Sequence, residues 1–363
     1  MARDRLPAPD AAGGTSVAAP ARGPDPAGPL SGWFATHVPG SLLPLRIEEL
    51  SGGRSNLTLV VTDAAGTRHV LRMPPPGPVL ATAHDVLREA RILRAIGPTA
   101  VPVPRVVAVC EDPSVAGAPF VVSRFAEGRV LRDAASACEA PAACRAASGH
   151  QLVGALARLH SLRPDDVGLG DLVRGGDYVD RQLRRWSRQV EDGGGEYRTM
   201  LLDLAGRVGR AVPAQERVAL VHGDPKLDNC ILDDGGGLRA IVDWELAAVG
   251  DPVADLALLL AYWGEPGDAE VALQDPPSGV PGFATRAELV ATYREVAGWE
   301  PRGVEAYLAF CYWKLACIVA GVVQREAIAA ARTTATPGPD LVPFRAQVER
   351  LARLTEAALA DGR

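Results

Sequence analysis

The sequence contains no Cys-x-x-Cys pair, although six cysteines occur, at positions 110, 138, 144, 230, 311 and 317. Zinc-ribbon and thioredoxin-type readings therefore fail. Most of these cysteines stand among apolar residues and read as small buried hydrophobes, which fits a reducing cytosol and a cytoplasmic location. Long apolar runs are missing as well. Leu256 to Tyr262 is among the longest, and none approaches the ~20 residues of a membrane span, so no membrane partner is expected. No continuous apolar stretch follows Met1-Ala-Arg-Asp-Arg5, which argues against a signal peptide. Basic excess is absent too. Lys and Arg number 38 against 44 Asp and Glu, a formal net charge of −6, and a nucleic-acid partner is not expected.

What is present is a chain of 363 residues with 47% apolar content, ample for a large core in one two-lobed unit or two domains. Residues 1–30 are rich in Ala, Pro and Gly without apolar periodicity, and read as a disordered tail. Residues 31–127 read as a first lobe. Strands are expected at Arg46–Leu50, Leu57–Thr62, Arg68–Arg72, Arg105–Val109 and Phe120–Phe125, with one helix over Ala83–Ile96 whose buried face carries Val86, Ala90 and Leu93. Residues 128–363 read as a mainly helical second lobe with a short β interlude near Ala219–Trp244. The pattern is α+β, a small antiparallel sheet followed by helices.

The strongest chemical signal is Val221-His-Gly-Asp-Pro-Lys-Leu-Asp-Asn229. Asp224 and Asn229 stand five apart in one loop. A carboxylate that accepts a hydroxyl proton and an oxygen ligand for Mg²⁺ are what phosphoryl transfer requires, and one loop carrying both fixes them relative to each other. A surface turn favours the same residue types. The second signal, Ala240-Ile-Val-Asp-Trp-Glu245, ends an apolar strand on Asp243, a second hard anionic ligand or else a helix cap. The two in this order are more specific than either alone. A third, Leu50-Ser-Gly-Gly-Arg-Ser-Asn56, suits backbone approach to phosphate, though hairpin turns use the same residues. The fourth pairs a cation, Arg72, with an acid on the following helix, Glu89.

With these motifs the sequence resembles the aminoglycoside phosphotransferase and choline kinase superfamily. More narrowly, it is similar to the phosphotransferase domain fused to some acyl-CoA dehydrogenases and to its stand-alone bacterial relatives. The resemblance runs from about Leu45 to Arg325, anchored by Gly52-Gly-Arg-Ser-Asn56, Val70-Leu-Arg-Met-Pro74, Arg88-Glu-Ala-Arg-Ile-Leu93, Leu156-Ala-Arg-Leu-His160, His222–Asn229, Asp243-Trp-Glu-Leu246 and Gly250-Asp-Pro-Val-Ala-Asp255. The Asp224–Asn229 spacing is that of protein-kinase catalytic loops. The resemblance implies a protein-kinase-like two-lobed fold with ATP (or GTP) and Mg²⁺ as cofactors. It implies Asp224 as the catalytic base, Asn229 and Asp243 as metal ligands, and Ser55 and Asn56 over the phosphates. Arg72 and Glu89 would hold a phosphate, and a connector near Ser123–Phe125 would hold the nucleotide. His222 would brace the loop, and Asp255 would brace it too or else cap a helix. Two departures stand out: Arg72 occupies a position where kinase folds usually carry Lys, and Pro225-Lys226 replaces an aromatic and an Arg. Lys226 either neutralises the transferring phosphoryl group or faces solvent.

For the acceptor, a small molecule with a hydroxyl, the sequence offers Arg181, Arg184, Arg185 and Arg188, which share one face of a helix. They read as a solvated face or as an anion-binding wall. Arg184 and Arg185 are the candidate substrate contacts, with Lys226 and Glu245. A phosphate-bearing acceptor such as a hydroxyacyl-CoA suits four arginines better than a polycationic aminoglycoside. The competing readings are an aminoglycoside or macrolide O-phosphotransferase and a catalytically silent nucleotide-binding protein. Tyr307, Tyr312 and Trp313 on a late helix read as the lining of an acceptor pocket or, as is commoner for aromatics at helical spacing, as core.

Overall fold

The computed structural model describes residues 28–50, 56–75, 85–332 and 340–362. They form two compact units, the first of residues up to 87 with 106–125, the second of 88–105 with 126 onward.

In the first unit a helix that sequence patterning did not mark, α1 (Pro29–His37), opens the described chain. Pro29 suits the first helical turn because its fixed φ is already helical and its missing amide has no partner to lose there. Leu30, Phe34 and Val38 recur at helical spacing and are all buried, a stripe too short to stand out as a period. Residues 29 and 30, expected in the tail, are therefore helical, and residues 1–27 lie outside the described residues. Five antiparallel strands follow: β1 (Arg46–Glu49), β2 (Leu57–Thr62), β3 (Arg68–Met73), β4 (Val106–Cys110) and β5 (Phe120–Arg124), ordered β1-β2-β3-β5-β4. Each matches its expected span to within one residue. Alternating side chains Leu59 and Val61, Leu71 and Met73, and Phe120 and Val122 face Phe34 in one core. Each fully buried side chain of this kind contributes roughly 1.5–3 kcal/mol. Between β2 and β3 the Asp63 carboxylate accepts the amides of Ala65 at 2.9 Å and Thr67 at 2.8 Å. Burial alone would raise that carboxyl, but these amides outweigh it and hold it below the usual range.

The second unit takes the helix α2 (Val86–Ile96) from Arg88 onward, together with the residues that follow it up to 105. The reason is visible in its bonds. Arg88 donates to the carbonyls of Glu245, at 3.4 Å, and of Ala247, Arg91 pairs with Asp171, and the Ile241 amide reaches the Pro102 carbonyl at 2.9 Å. Val86, Ala90 and Leu93 are buried, as expected. Then come α3 (Ala134–Glu139), α4 (Ala142–His160), α5 (Tyr178–Gly193) and α6 (Arg198–Ala211). The β interlude holds two ribbons, β6 (Ala219–Val221) with β9 (Ala248–Gly250) and β7 (Cys230–Leu232) with β8 (Leu238–Ile241). Helices α7 (Pro252–Tyr262), α8 (Arg286–Ala297), α9 (Val304–Arg332) and α10 (Val342–Asp361) complete the unit. Over Val304–Ala329, α9 is long and apolar enough to cross a membrane by length and composition alone, contrary to the expectation from short apolar runs. It packs against α5, α6, α7 and α10, which bury 56% of its apolar window. Tyr307, Tyr312 and Trp313 are buried there.

Candidate active site

The loop from His222 to Asn229 links β6 to β7, so a strand holds each of its ends. Gly223 has φ 86°, and a Cβ there would stand 2.6 Å from the Leu246 carbonyl oxygen, so the turn requires glycine. Asp255, on α7, accepts the amides of His222 and Gly223, each at 2.8 Å, one on each carboxylate oxygen. His160 adds a third bond at 3.1 Å and is itself held by the Tyr293 hydroxyl at 2.7 Å. Burial would raise the Asp255 carboxyl, but His160 and the loop amides outweigh it and keep it below its ordinary value. The helix-capping alternative falls to Asp251, which accepts the Val253 amide at 2.9 Å. Fully buried His222 meets the Val242 carbonyl through Nε2 at 3.0 Å, while its Nδ1 accepts the Asp224 amide at 3.2 Å. These partners assign the proton to Nε2. His222 braces the loop rather than facing a substrate.

Both oxygens of Asp224 are engaged. Oδ1 accepts the Tyr262 hydroxyl at 2.9 Å, and Oδ2 accepts Asn229 Nδ2 and Lys226 Nζ, each at 3.1 Å. Burial, and then the Asp224 charge, push the Tyr262 phenol well above its ordinary value, so it remains a donor. Lys226 also lies 3.6 Å from Asp228. Burial disfavours its charge, but Asp224, Asp228 and Asp243 together hold the ammonium above the ordinary lysine value. Burial in turn raises the Asp228 carboxyl in spite of Lys226. Of the two readings of Lys226, the solvent-facing one does not match its half-buried, ion-paired position.

Asp243 follows β8, and the Val242 amide donates to the Asn229 carbonyl at 2.9 Å, so the β7–β8 ribbon carries Asn229 and Asp243 side by side at its open end. The closed end is a tight turn in which Asp233 accepts the amides of Gly235 and Gly237. Among the described residues Asp243 alone, glycines apart, has a positive φ, 66°. Aspartate tolerates this left-handed conformation better than most residues, yet it still costs of order 1 kcal/mol and marks a constrained position. Asn229 spends its Nδ2 on Asp224 and so presents Oδ1 to a ligand. Among the described residues no group of three or more His, Cys, Asp or Glu is placed to hold a metal. One amide and one carboxylate oxygen suit Mg²⁺, which keeps several waters and takes its other ligands from phosphate.

The remaining expected residues fall as follows. Glu245 sits half-buried in the turn after Asp243, its carbonyl taken by Arg88. Glu89 is buried on α2, in the second unit. In the first unit, half-buried Arg72 lies on β3 opposite Thr58 and Val121, Ser123 and Asn56 are buried, and Phe125 carries the Arg68 guanidinium 4.0 Å from its ring centre. Ser55 and the rest of residues 51–55 lie outside the described residues. On α5, Arg184, Arg185 and Arg188 are exposed, whereas Arg181 turns back to the carbonyls of Arg174, Gly175 and Gly176. Sequence reading missed Tyr262, which closes an apolar run and which no local signal distinguishes.

A small antiparallel-sheet unit, a larger helical unit and a loop that sets Asp224, Asn229 and Asp243 together define a protein-kinase-like phosphotransferase of two lobes. The model of the phosphotransferase enzyme family matches residues 46–300, and the chain belongs to that family, whose members phosphorylate hydroxyl groups. Acyl-CoA dehydrogenase family member 10 of Mus musculus is 31% identical over 301 residues, covering 82% of this chain and 28% of its own length. Across seven such relatives, all acyl-CoA dehydrogenase family proteins, the chain spans 28% to 39% of their length. A solved Ralstonia eutropha structure, described among the aminoglycoside phosphotransferases, aligns with a TM-score of 0.75 at 27% identity, over 92% of this chain and 97% of that one. A spectinomycin phosphotransferase solved with ADP and spectinomycin shares the fold, with a TM-score of 0.57 at 9% identity over 91% and 97% of the two chains.

Proposed function

We propose that this chain transfers the γ-phosphoryl group of ATP, with Mg²⁺, to the hydroxyl of a small molecule, and that the acceptor is a hydroxyacyl-CoA or a close analogue. The observation that carries the reading is the engagement of Asp224 by Lys226, Asn229 and Tyr262 beside Asp243. In this reading the acceptor oxygen attacks the γ-phosphorus, its proton passes to Asp224 Oδ2, and the bond to the β–γ bridging oxygen breaks to release ADP. Asn229 Oδ1 and the Asp243 carboxylate would hold Mg²⁺. When bound, the ion neutralises phosphate charge. Lys226 leaves Asp224 for the transferring phosphoryl group, which both frees the base and places a cation on the developing charge. Arg72, Glu89, Asn56, Ser123 and Phe125 are assigned to the nucleotide by family likeness.

The acyl-CoA part of the reading is supported by the names of the relatives and by the exposed guanidiniums of Arg184, Arg185 and Arg188. A coupled ADP assay across alcohols, hydroxyacyl-CoA esters, aminoglycosides and macrolides tests it. Turnover confined to an antibiotic would replace the acceptor. With a CoA ester, joint charge reversal of Arg184 and Arg185 is expected to raise KM strongly, and an unchanged KM sinks the CoA form of the proposal.

A further inference from the structure

Lys314 is a half-buried cation on α9 whose ammonium has no hydrogen bond or ion pair with any described residue. The other lysine of this region, Lys226, shows the contrast, since it is held by two carboxylates. Its nitrogen keeps some contact with water, and partial withdrawal of an ammonium without a partner is still unfavourable. Here burial pushes it below the ordinary lysine value, with Cys311, Asp224 and Asp255 opposing the shift and Arg185 adding to it.

The packing of α9 on α7 leads from Lys314 toward the reacting loop. Tyr307 donates to Asp251 at 2.6 Å, and Cys311 Sγ meets the Ala254 carbonyl at 3.5 Å. These contacts advance along α7 as the chain advances along α9, so the two helices run side by side in one direction. Lys314 comes one turn after Cys311 on the neighbouring face. Further along, α7 ends at Tyr262, which holds Asp224. Helix α5 packs on α9 as well and brings Arg185. Arg185 and Arg188 then line, with Arg325, Asp192 and Gln324, a groove of about 620 Å³ between α5 and α9. Arg185, whose charge acts on Lys314, is thus one of three guanidiniums along that groove. A leucine or methionine would fill the α9 position without the desolvation cost, so a lysine needs a reason there.

We propose that Lys314 is a specificity-determining residue of the acceptor site, its ammonium taking an acyl oxygen of the acceptor, carboxylate or thioester carbonyl, and so setting the hydroxyl of a hydroxyacyl compound beside Asp224. Cationic acceptors are disfavoured by the same charge. The inference deepens the kinase reading above and rests on it. The alternative is a lysine that lays its stem on the core and leads its head to solvent.

The test uses the full chain with MgATP and four acceptors: β-hydroxybutyrate, its N-acetylcysteamine thioester, butanediol and choline. Acceptor-dependent ADP release gives kcat and KM, and calorimetry in the presence of MgADP gives binding separately. Lys314→Met is expected to weaken both acyl compounds about tenfold or more, with kcat changed less, and to leave butanediol and the KM of ATP unaltered. Lys314→Glu is expected to shift preference toward choline. The free acid and the thioester separate a carboxylate ligand from a carbonyl one. Acyl binding that survives Lys314→Met overturns the inference, as does wild-type protein that binds neither acyl compound. Lys314-dependent binding without turnover of any acceptor overturns the kinase reading and leaves this one standing.

Discussion

Tyr262 donates its hydroxyl to Oδ1 of Asp224 at 2.9 Å, tying the end of a buried helix to the carboxylate that would take the acceptor's proton. With Oδ1 held, Oδ2 is the oxygen that can turn to a substrate once Lys226 engages another partner. Tyr262→Phe keeps the ring and removes this bond. A hydrogen bond to a charged group is worth about 1.5–3 kcal/mol, so kcat is expected to fall about tenfold to a hundredfold with KM for ATP unchanged. Steady-state kinetics check this, and an unaltered kcat would show that Tyr262 does not position the base.

Replacing Asp224 itself separates chemistry from binding. Asp224→Ala is expected to lower turnover by about a hundredfold to ten-thousandfold, the usual contribution of a general base. Binding of ATP, followed by calorimetry, is expected to survive. Retained turnover would contradict the assignment of Asp224 as the base.

Asp243 allows its charge and its backbone to be tested apart. Asparagine shares its tolerance of the left-handed conformation, whereas valine does not. Asp243→Asn is expected to fold with nearly unchanged stability and to require far more Mg²⁺. Asp243→Val is expected to lose roughly 1–2 kcal/mol of stability as well. Urea titrations and Mg²⁺ dependence read the two effects.

At Gly223 an added methyl group meets the Leu246 carbonyl, and the backbone there is left-handed. Gly223→Ala is expected to destabilise the fold by roughly 1–3 kcal/mol and to displace Asp224, lowering kcat. A stable and fully active variant would contradict the tight turn.

Asp255 carries an acid-stability signature. Its folded carboxyl lies below the ordinary value of about 3.9. The stabilisation is complete above the unfolded-state value and disappears as pH falls through the lower folded-state value. In Asp255→Asn the amide group faces donors that it cannot satisfy, a cost of about 1–3 kcal/mol at neutral pH. Urea midpoints of wild type and variant are expected to converge as pH falls below that range. Parallel curves would contradict an ionised Asp255.

Much of this protein was legible along the chain because its signals are local. Strand alternation marked β1 to β5, since one buried face forces a period of two. The catalytic loop was legible because glycine, aspartate and asparagine at fixed spacing are required within nine consecutive residues, 221–229. Helix α1 was not, because three buried side chains make too short a period. The boundary at Arg88 was not, because it depends on carbonyls of residues 245 and 247.

By itself the sequence determined the α+β class and the succession of strands along the chain, and it marked Asp224, Asn229 and Asp243 as the candidates for proton and metal. The tertiary structure alone decided what those residues touch. It brought Tyr262 to Asp224 from 38 positions away and Asp255 to the loop amides from 32 and 33. It left Lys314 without a hydrogen bond or ion pair among the described residues, on a helix that otherwise reads as core. The physical reason is that periodicity reports which face is buried, whereas a hydrogen bond or an unpaired charge depends on groups supplied by other elements, whose approach is set by packing.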